Sequence, residues 1–120
     1  MLNVIAYGLA IVLNLFIIVV GIRFFAVPQA AAAGYGVPAQ PNAYLTVKGL
    51  RDTSYGILGL ALVAFADARA VALFMLVVAL APLGDTAIVL RHGGTRAVAF
   101  GIHFATAVVV LVDAALLFAI

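Results

Sequence analysis

The sequence contains four apolar stretches that are each long enough to cross a membrane, and these stretches constrain the fold most strongly. Each would form a helix of about 36 Å at about 1.5 Å per residue, and a hydrocarbon core needs only about 20 apolar residues. The predicted helices cover residues 2–27, 43–66, 68–91 and 96–120. We therefore predict an all-α polytopic membrane protein with one domain, 1–120, built as a bundle of four transmembrane helices.

The composition excludes several classes of protein. Of the 120 residues, 68% are apolar and 8% are charged, whereas soluble domains carry about 25% charged residues. The net charge of +2 comes without a clustered basic face, which argues against nucleic acid as a partner. Cysteine is absent, so thiol chemistry is excluded. The His and Asp spacing fits no metal motif, and we predict neither a metal nor a cofactor.

The first connection is predicted to contain a short interfacial helix. Pro28 suits a first helical position, the helix covers residues 29–33, and Gly34 is expected to end it as a left-handed cap. Residues 35–41 then read as an irregular connector. The first apolar stretch has no basic residue before it and is longer than a signal peptide core, so we predict a retained first helix.

Polar residues mark the starts of the later helices. Asn42 and Asp67 are predicted N-caps of the second and third helices, and Thr95 of the fourth. Gly93 and Gly94 are expected to end the third helix.

The basic residues predict the orientation in the membrane. Five of them fall on one side of the predicted bundle, namely Arg23, Lys48, Arg51, Arg91 and Arg96. Only Arg69 falls on the other side. The positive-inside rule places the five-residue side in the cytoplasm, so both termini are predicted to face out of the cell. The alanine-rich composition suggests a bacterial inner membrane.

Asp85 is the most unusual residue within these stretches, because it lies deep in a run that is otherwise almost wholly apolar. A carboxylate at that depth costs about 2.5–3.5 kcal/mol on insertion scales, so it normally faces the protein interior. Asp52 and His103 lie in the same layer, about 10–13 Å from the cytoplasmic helix ends. Asp85 is therefore expected to pair with Arg51 or with His103.

These residues define a candidate site. Asp85 and His103 are the candidate acid and base. The candidate ligand-binding residues are Lys48, Arg51, Asp52, Tyr55 and His92. A purely structural role for the same layer remains open, in which its hydrogen bonds only fix the register of the helices. Asp113 and Tyr7 are expected to pair near the outer surface.

The fourth helix has small residues at four-residue spacing, at Ala97, Gly101 and Ala105. Such faces let helices approach closely, which makes a homodimer a second expected partnership, beside the lipid bilayer.

Two stretches resemble the signatures of a known family. They are V-K-G-L-R-D-T-S-Y-G-I-L-G at residues 47–59 and P-L-G-D-T-A-I-V-L-R-H-G-G at residues 82–94. The loop from Pro28 to Pro38 is also similar to that family's first loop, with one extra alanine. The family is domain of unknown function 4267, small membrane proteins of bacteria and fungi. The resemblance implies a four-helix integral membrane protein and no particular reaction.

Three functions remain open from the sequence. The first is binding or acid–base processing of a small lipid-soluble molecule at the polar layer, which would make the chain an enzyme or a binding protein. The second is a structural or accessory membrane subunit. The third is a proton-coupled transporter of small molecules.

Overall fold

The computed structural model describes residues 1–38 and 43–120, and all regular secondary structure in these ranges is helical. This confirms the all-α prediction. The five helices are α1 (Leu2–Ala26), α2 (Pro28–Tyr35), α3 (Ala43–Phe65), α4 (Ala68–Arg91) and α5 (Arg96–Phe118). The molecule measures 42 × 26 × 19 Å, and its long axis is close to the full thickness of a bilayer with its headgroups, about 40–45 Å.

Three of these helices, α1, α4 and α5, are long and apolar enough to cross a membrane. Their length and composition are compatible with a multi-pass membrane protein. Helix α3 differs because Lys48, Arg51 and Asp52 interrupt the apolar residues of its first half. The predicted fourth crossing therefore depends on how α3 packs rather than on its composition.

The predicted N-caps of α4 and α5 are confirmed. The Asp67 carboxylate accepts a hydrogen bond of 2.8 Å from the backbone N–H of Ala70. The Thr95 hydroxyl accepts one of 3.1 Å from the N–H of Val98. Each side chain satisfies a backbone donor that has no partner within the helix. The predicted cap at Asn42 lies outside the described residues.

Helix α2 is longer than the sequence indicated, and the expected cap at Gly34 is wrong. The helix continues through Gly34 to Tyr35 and ends at Gly36, which has a φ of 87°. The N–H of Gly36 bonds to the carbonyl oxygens of Ala32 and Ala33, as in a left-handed C-cap. As a result Tyr35 belongs to the last turn of a helix rather than to an irregular connector.

Both helices that follow α3 have a local irregularity near the candidate site. Helix α4 is interrupted at Ala79, because Pro82 lacks an N–H and its ring crowds the carbonyl of Val78 four residues earlier. Helix α5 widens into a π-helical segment at Ala99–Phe104. Such segments are rare and often occur at functional sites, and this one contains His103.

Helices α1 and α3 pack through glycines. A Cβ on Gly56 would lie 2.6 Å from the carbonyl oxygen of Asn14, and one on Gly49 would lie 2.8 Å from that of Gly21. The backbones of the two helices are therefore nearly in contact, as small residues allow in membranes. Helices α1, α4 and α5 share a core of small and medium-sized residues. This core comprises Ala6, Ala10, Val71, Ala72, Met75, Ala79, Val110, Ala114 and Leu117.

Asp113 is wholly buried, and neither of its oxygens has a hydrogen-bond partner among the residues that the structure describes. The expected pairing of Asp113 with Tyr7 is therefore wrong. Tyr7 instead packs against the apolar core. A buried polar group without a partner destabilises a fold by about 1–3 kcal/mol, so Asp113 lowers the stability of the bundle.

We expect Asp113→Val to stabilise the purified protein by about 1–3 kcal/mol, because valine has no polar group to leave unsatisfied. The measurement is the thermal unfolding midpoint in detergent. Asp67→Val is the matched control, and it should lower the midpoint because it removes an N-cap worth about 1 kcal/mol. A lower midpoint for Asp113→Val would show that the carboxyl group has a stabilising partner.

Candidate functional site

A cavity of about 330 Å³ lies among α1, α2, α3, α4 and α5. Most of its wall is apolar, with residues such as Phe74, Met75, Val78 and Val110. Its polar lining residues are Asn14, Arg23, Tyr35, Lys48, Asp52, Tyr55, Asp85, His103 and Thr106. An apolar pocket with a few convergent polar groups is the usual form of a small-molecule site.

Tyr35 is the centre of the polar groups. Its hydroxyl donates a hydrogen bond to Asp85 Oδ2, and its backbone carbonyl accepts one of 2.7 Å from His103 Nε2. The rings of Tyr35 and His103 also lie against each other, with centroids 4.3 Å apart. One residue of the short helix thus joins α4 to the π-helical segment of α5.

The bond to Tyr35 defines the tautomer of His103. A carbonyl oxygen can only accept, so Nε2 carries the hydrogen, and in the neutral ring Nδ1 remains an acceptor. The imidazole is 3% exposed. The arrangement therefore leaves Nδ1 as a hydrogen-bond acceptor.

Helix α3 contributes an ion pair to the same group. Lys48 Nζ lies 2.8 Å from Asp52 Oδ2, one helical turn away. The ammonium group also stands over two aromatic rings, 4.1 Å from the centroid of Tyr35 and 5.0 Å from that of Phe24. Aromatic faces attract cations at these distances, so Lys48 is held against Tyr35 by its surroundings as well as by Asp52.

The position of Tyr35 follows from the packing of α2. Phe24, Ala31, Ala32 and Leu45 form a small buried cluster against which Tyr35 packs. The residue after it, Gly36, lies so close to Val89 and Val98 that a Cβ would be 2.8 Å from a methyl group of Val98. The left-handed cap and this close approach both require glycine.

The surroundings of Tyr35 keep its hydroxyl protonated. Burial is the main cause that raises the pKa of Tyr35 above its ordinary range, and the negative charge of Asp85 raises this pKa further. Both disfavour the phenolate. The hydroxyl is therefore a hydrogen-bond donor at physiological pH.

The structure brings together five of the seven residues predicted from the sequence. Lys48, Asp52, Tyr55, Asp85 and His103 all line the cavity.

The other two predicted residues do not line the cavity. Arg51 and His92 are exposed, and His92 Nδ1 lies 2.9 Å from the carbonyl oxygen of Ile88 in its own helix. The expected pairing of Asp85 with Arg51 or His103 is wrong, because its hydrogen-bond partner within the described ranges is Tyr35. The sequence alone does not point to Tyr35, because it predicts an irregular connector from residue 35 onward.

The stripe of Ala97, Gly101 and Ala105 lies exposed on α5. Association of two copies through this stripe stays a prediction.

The family model described as domain of unknown function (DUF4267) matches residues 14–117 of the chain. This range includes all five predicted residues that line the cavity, as well as Tyr35. No curated protein and no solved structure matches the chain. The family match covers most of the sequence, and the chain belongs to the DUF4267 family.

Proposed function

We propose that this protein crosses the membrane four times, with both termini outside the cell, and binds a lipid-soluble small molecule in the cavity around Tyr35. The observation that carries the proposal is the cavity itself, which is apolar over most of its wall and has polar groups from three helices gathered about one tyrosine of a fourth.

The packing of α3 supports the fourth crossing. The close contacts with α1 run from Gly21 opposite Gly49, through Asn14 opposite Gly56, to Asn14 opposite Gly59. Residue numbers fall along α1 as they rise along α3, so the two helices are antiparallel neighbours. A helix in continuous contact with a membrane-spanning one shares its path through the bilayer. The charged residues Lys48 and Asp52 then pair within the protein rather than face lipid.

The polar groups suit a ligand with a hydroxyl or carbonyl at one end. Asp85 uses one oxygen for Tyr35, which leaves the other as an acceptor, and Lys48 retains donors beyond the one used by Asp52. A carboxylate and an imidazole in a pocket with a mostly apolar wall are also adequate for moving a proton within a bound molecule, or between that molecule and water. Isomerisation, or addition of water across a double bond, fits this set because neither reaction needs an external electron donor or acceptor.

Native mass spectrometry of protein released gently from its own membrane tests the proposal. We expect a bound compound in the wild-type protein and at least about tenfold lower occupancy in Asp85→Asn, because a hydrogen bond to a charged group contributes about 1.5–3 kcal/mol. Asp67→Asn is the matched control, since asparagine caps a helix as well as aspartate. It should retain the compound.

A structural role is the second candidate, and one observation favours it. The side chains of Tyr35, Asp85 and His103 all have partners within the protein, so their bonds alone could hold α2 against the bundle. In that case the wild-type protein and the Asp85→Asn variant would both be free of any bound compound, and the proposed ligand site would be wrong.

A further inference from the structure

A second depression lies on the outside of the bundle, directly beside the cavity. It is lined by residues of α1 and α5 and has a volume of about 310 Å³. Four residues line both spaces, namely Leu13, Phe16, Ile102 and Thr106. The cavity and the outer depression, which we call the slot, therefore adjoin each other at these four residues.

The side chains between the two spaces belong to the surface that would face lipid. Phe16 is 48% exposed and Ile102 is 45% exposed, so each is free of close packing on its outer side. Rotation of such side chains takes only picoseconds to nanoseconds. Rotation of Phe16 and Ile102 can thus open the cavity into the slot without any movement of a helix.

The backbone of α5 adds room at this point. Gly101 lies in the π-helical segment and lines the slot, and nothing lies within 4 Å of the position where its Cβ would be. The Thr106 hydroxyl donates to the carbonyl oxygen of Ile102, and the other α5 residues of the slot are small or apolar, namely Ile102, Ala105 and Val109. This surface suits a hydrocarbon chain and offers no partner for a charged group.

We infer that the ligand of the cavity is a single-chain amphiphile, whose polar end lies at Tyr35, Asp85 and His103 and whose hydrocarbon chain leaves between α1 and α5 into the bilayer. This inference rests on the proposed function and names its ligand class. The cavity is at the small end of ligand sites, which hold about 300–1,000 Å³. A long chain therefore does not fit within the cavity alone, and the slot is an apolar path by which it can leave.

The test uses two photoreactive probes that share a primary alcohol as the polar end. One is a long-chain alcohol with a diazirine midway along the chain, and the other is a compact cyclic alcohol with a diazirine on its ring. Each is added to the full-length protein in lipid vesicles, and the labelled residues are identified by peptide mass spectrometry. The variant Gly101→Leu fills the slot. Gly8→Leu is its matched control, because Gly8 also has nothing within 4 Å and is exposed on α1.

We expect the long-chain probe to label Leu13, Phe16 or Ile102 in the wild-type protein and in Gly8→Leu. Gly101→Leu should reduce this labelling about tenfold, equivalent to about 1.4 kcal/mol of binding, while the compact probe still labels the cavity in all three proteins. Equal long-chain labelling in Gly101→Leu would overturn the inference and leave the proposed function standing. Failure of both probes to label the wild-type cavity would overturn both.

Discussion

Substitution of Gly56 by valine is expected to prevent the chain from accumulating as a stable, monodisperse protein. The position of a Cβ at residue 56 is 2.4 Å from a side-chain carbon of Ile18 and 2.6 Å from the carbonyl oxygen of Asn14. The Ile18 side chain can move, but the carbonyl belongs to the backbone of α1. Any side chain at this position must therefore push α1 and α3 apart.

We expect a large effect because pushing α1 and α3 apart at Gly56 also disturbs their contacts at other points of the interface. Overpacking a core typically destabilises by about 1–3 kcal/mol and sometimes by more, and here a branched side chain is forced against backbone. We expect a loss of more than about 3 kcal/mol, which is a large part of the usual 5–15 kcal/mol of a folded domain. Fluorescence-detected size-exclusion chromatography and the thermal midpoint in detergent measure it.

Gly8→Val is the matched control for this prediction. Gly8 lies in α1, the helix against which Gly56 packs, but it is exposed and has nothing within 4 Å of its Cβ position. It should keep the elution profile and the midpoint of the wild-type protein. If Gly56→Val behaved in the same way, α1 and α3 would not be in backbone contact, and the support for α3 as a membrane-spanning helix would be lost with that contact.

The helices were predictable because their signals are local. Apolar runs of membrane length are bounded by residues that cap backbone donors, as at Asp67 and Thr95, and a cap is decided within four residues of sequence. The presence of Asp52, Asp85 and His103 at one cavity was also predictable. A helix rises by a constant amount per residue, so residue counts place side chains at comparable depths.

Tyr35, the centre of the site, was not predictable because its position depends on contacts between residues that are distant in sequence. The sequence predicts Gly34 as the end of α2, whereas the helix ends at Gly36, which lies close to Val89 and Val98. That contact joins residues more than 50 positions apart in the chain. The position of the helix end decides whether Tyr35 is helical and reaches Asp85. Residue counting along the long helices therefore could not identify Tyr35 as the partner of Asp85.

The exposure of Arg51 was also not predictable, because it too depends on how distant parts of the chain pack together. Helical periodicity places Arg51 about 100° from Asp52, and whether another helix lies in that direction depends on the packing of the whole bundle. In this bundle α1 packs against the glycine face of α3. Arg51 therefore remains outside the cavity, while Asp52 and Lys48 line it.

Cysteine labelling is expected to place Gln29 and His92 on the same side of the membrane, in the cytoplasm. The residues between them include α3 and α4. If both helices cross, the chain returns to the side from which it started. If α3 lay along the surface, only α4 would cross, and the two residues would be found on opposite sides. The result is all-or-none, since a charged maleimide does not pass the bilayer.

The chain is well suited to this measurement because it has no cysteine of its own, so Gln29→Cys, His92→Cys and Asn3→Cys can each be studied singly. All three positions are exposed. The first two should react only in inverted membrane vesicles, and Asn3→Cys only in intact cells. The reason is the positive-inside rule, which places the side with five basic residues in the cytoplasm. Reaction of Gln29→Cys and His92→Cys from opposite sides would exclude a crossing by α3. The ion pair of Lys48 and Asp52 would then lie at the membrane surface, and the polar groups around Tyr35 would be open to water rather than enclosed for a lipid-soluble ligand.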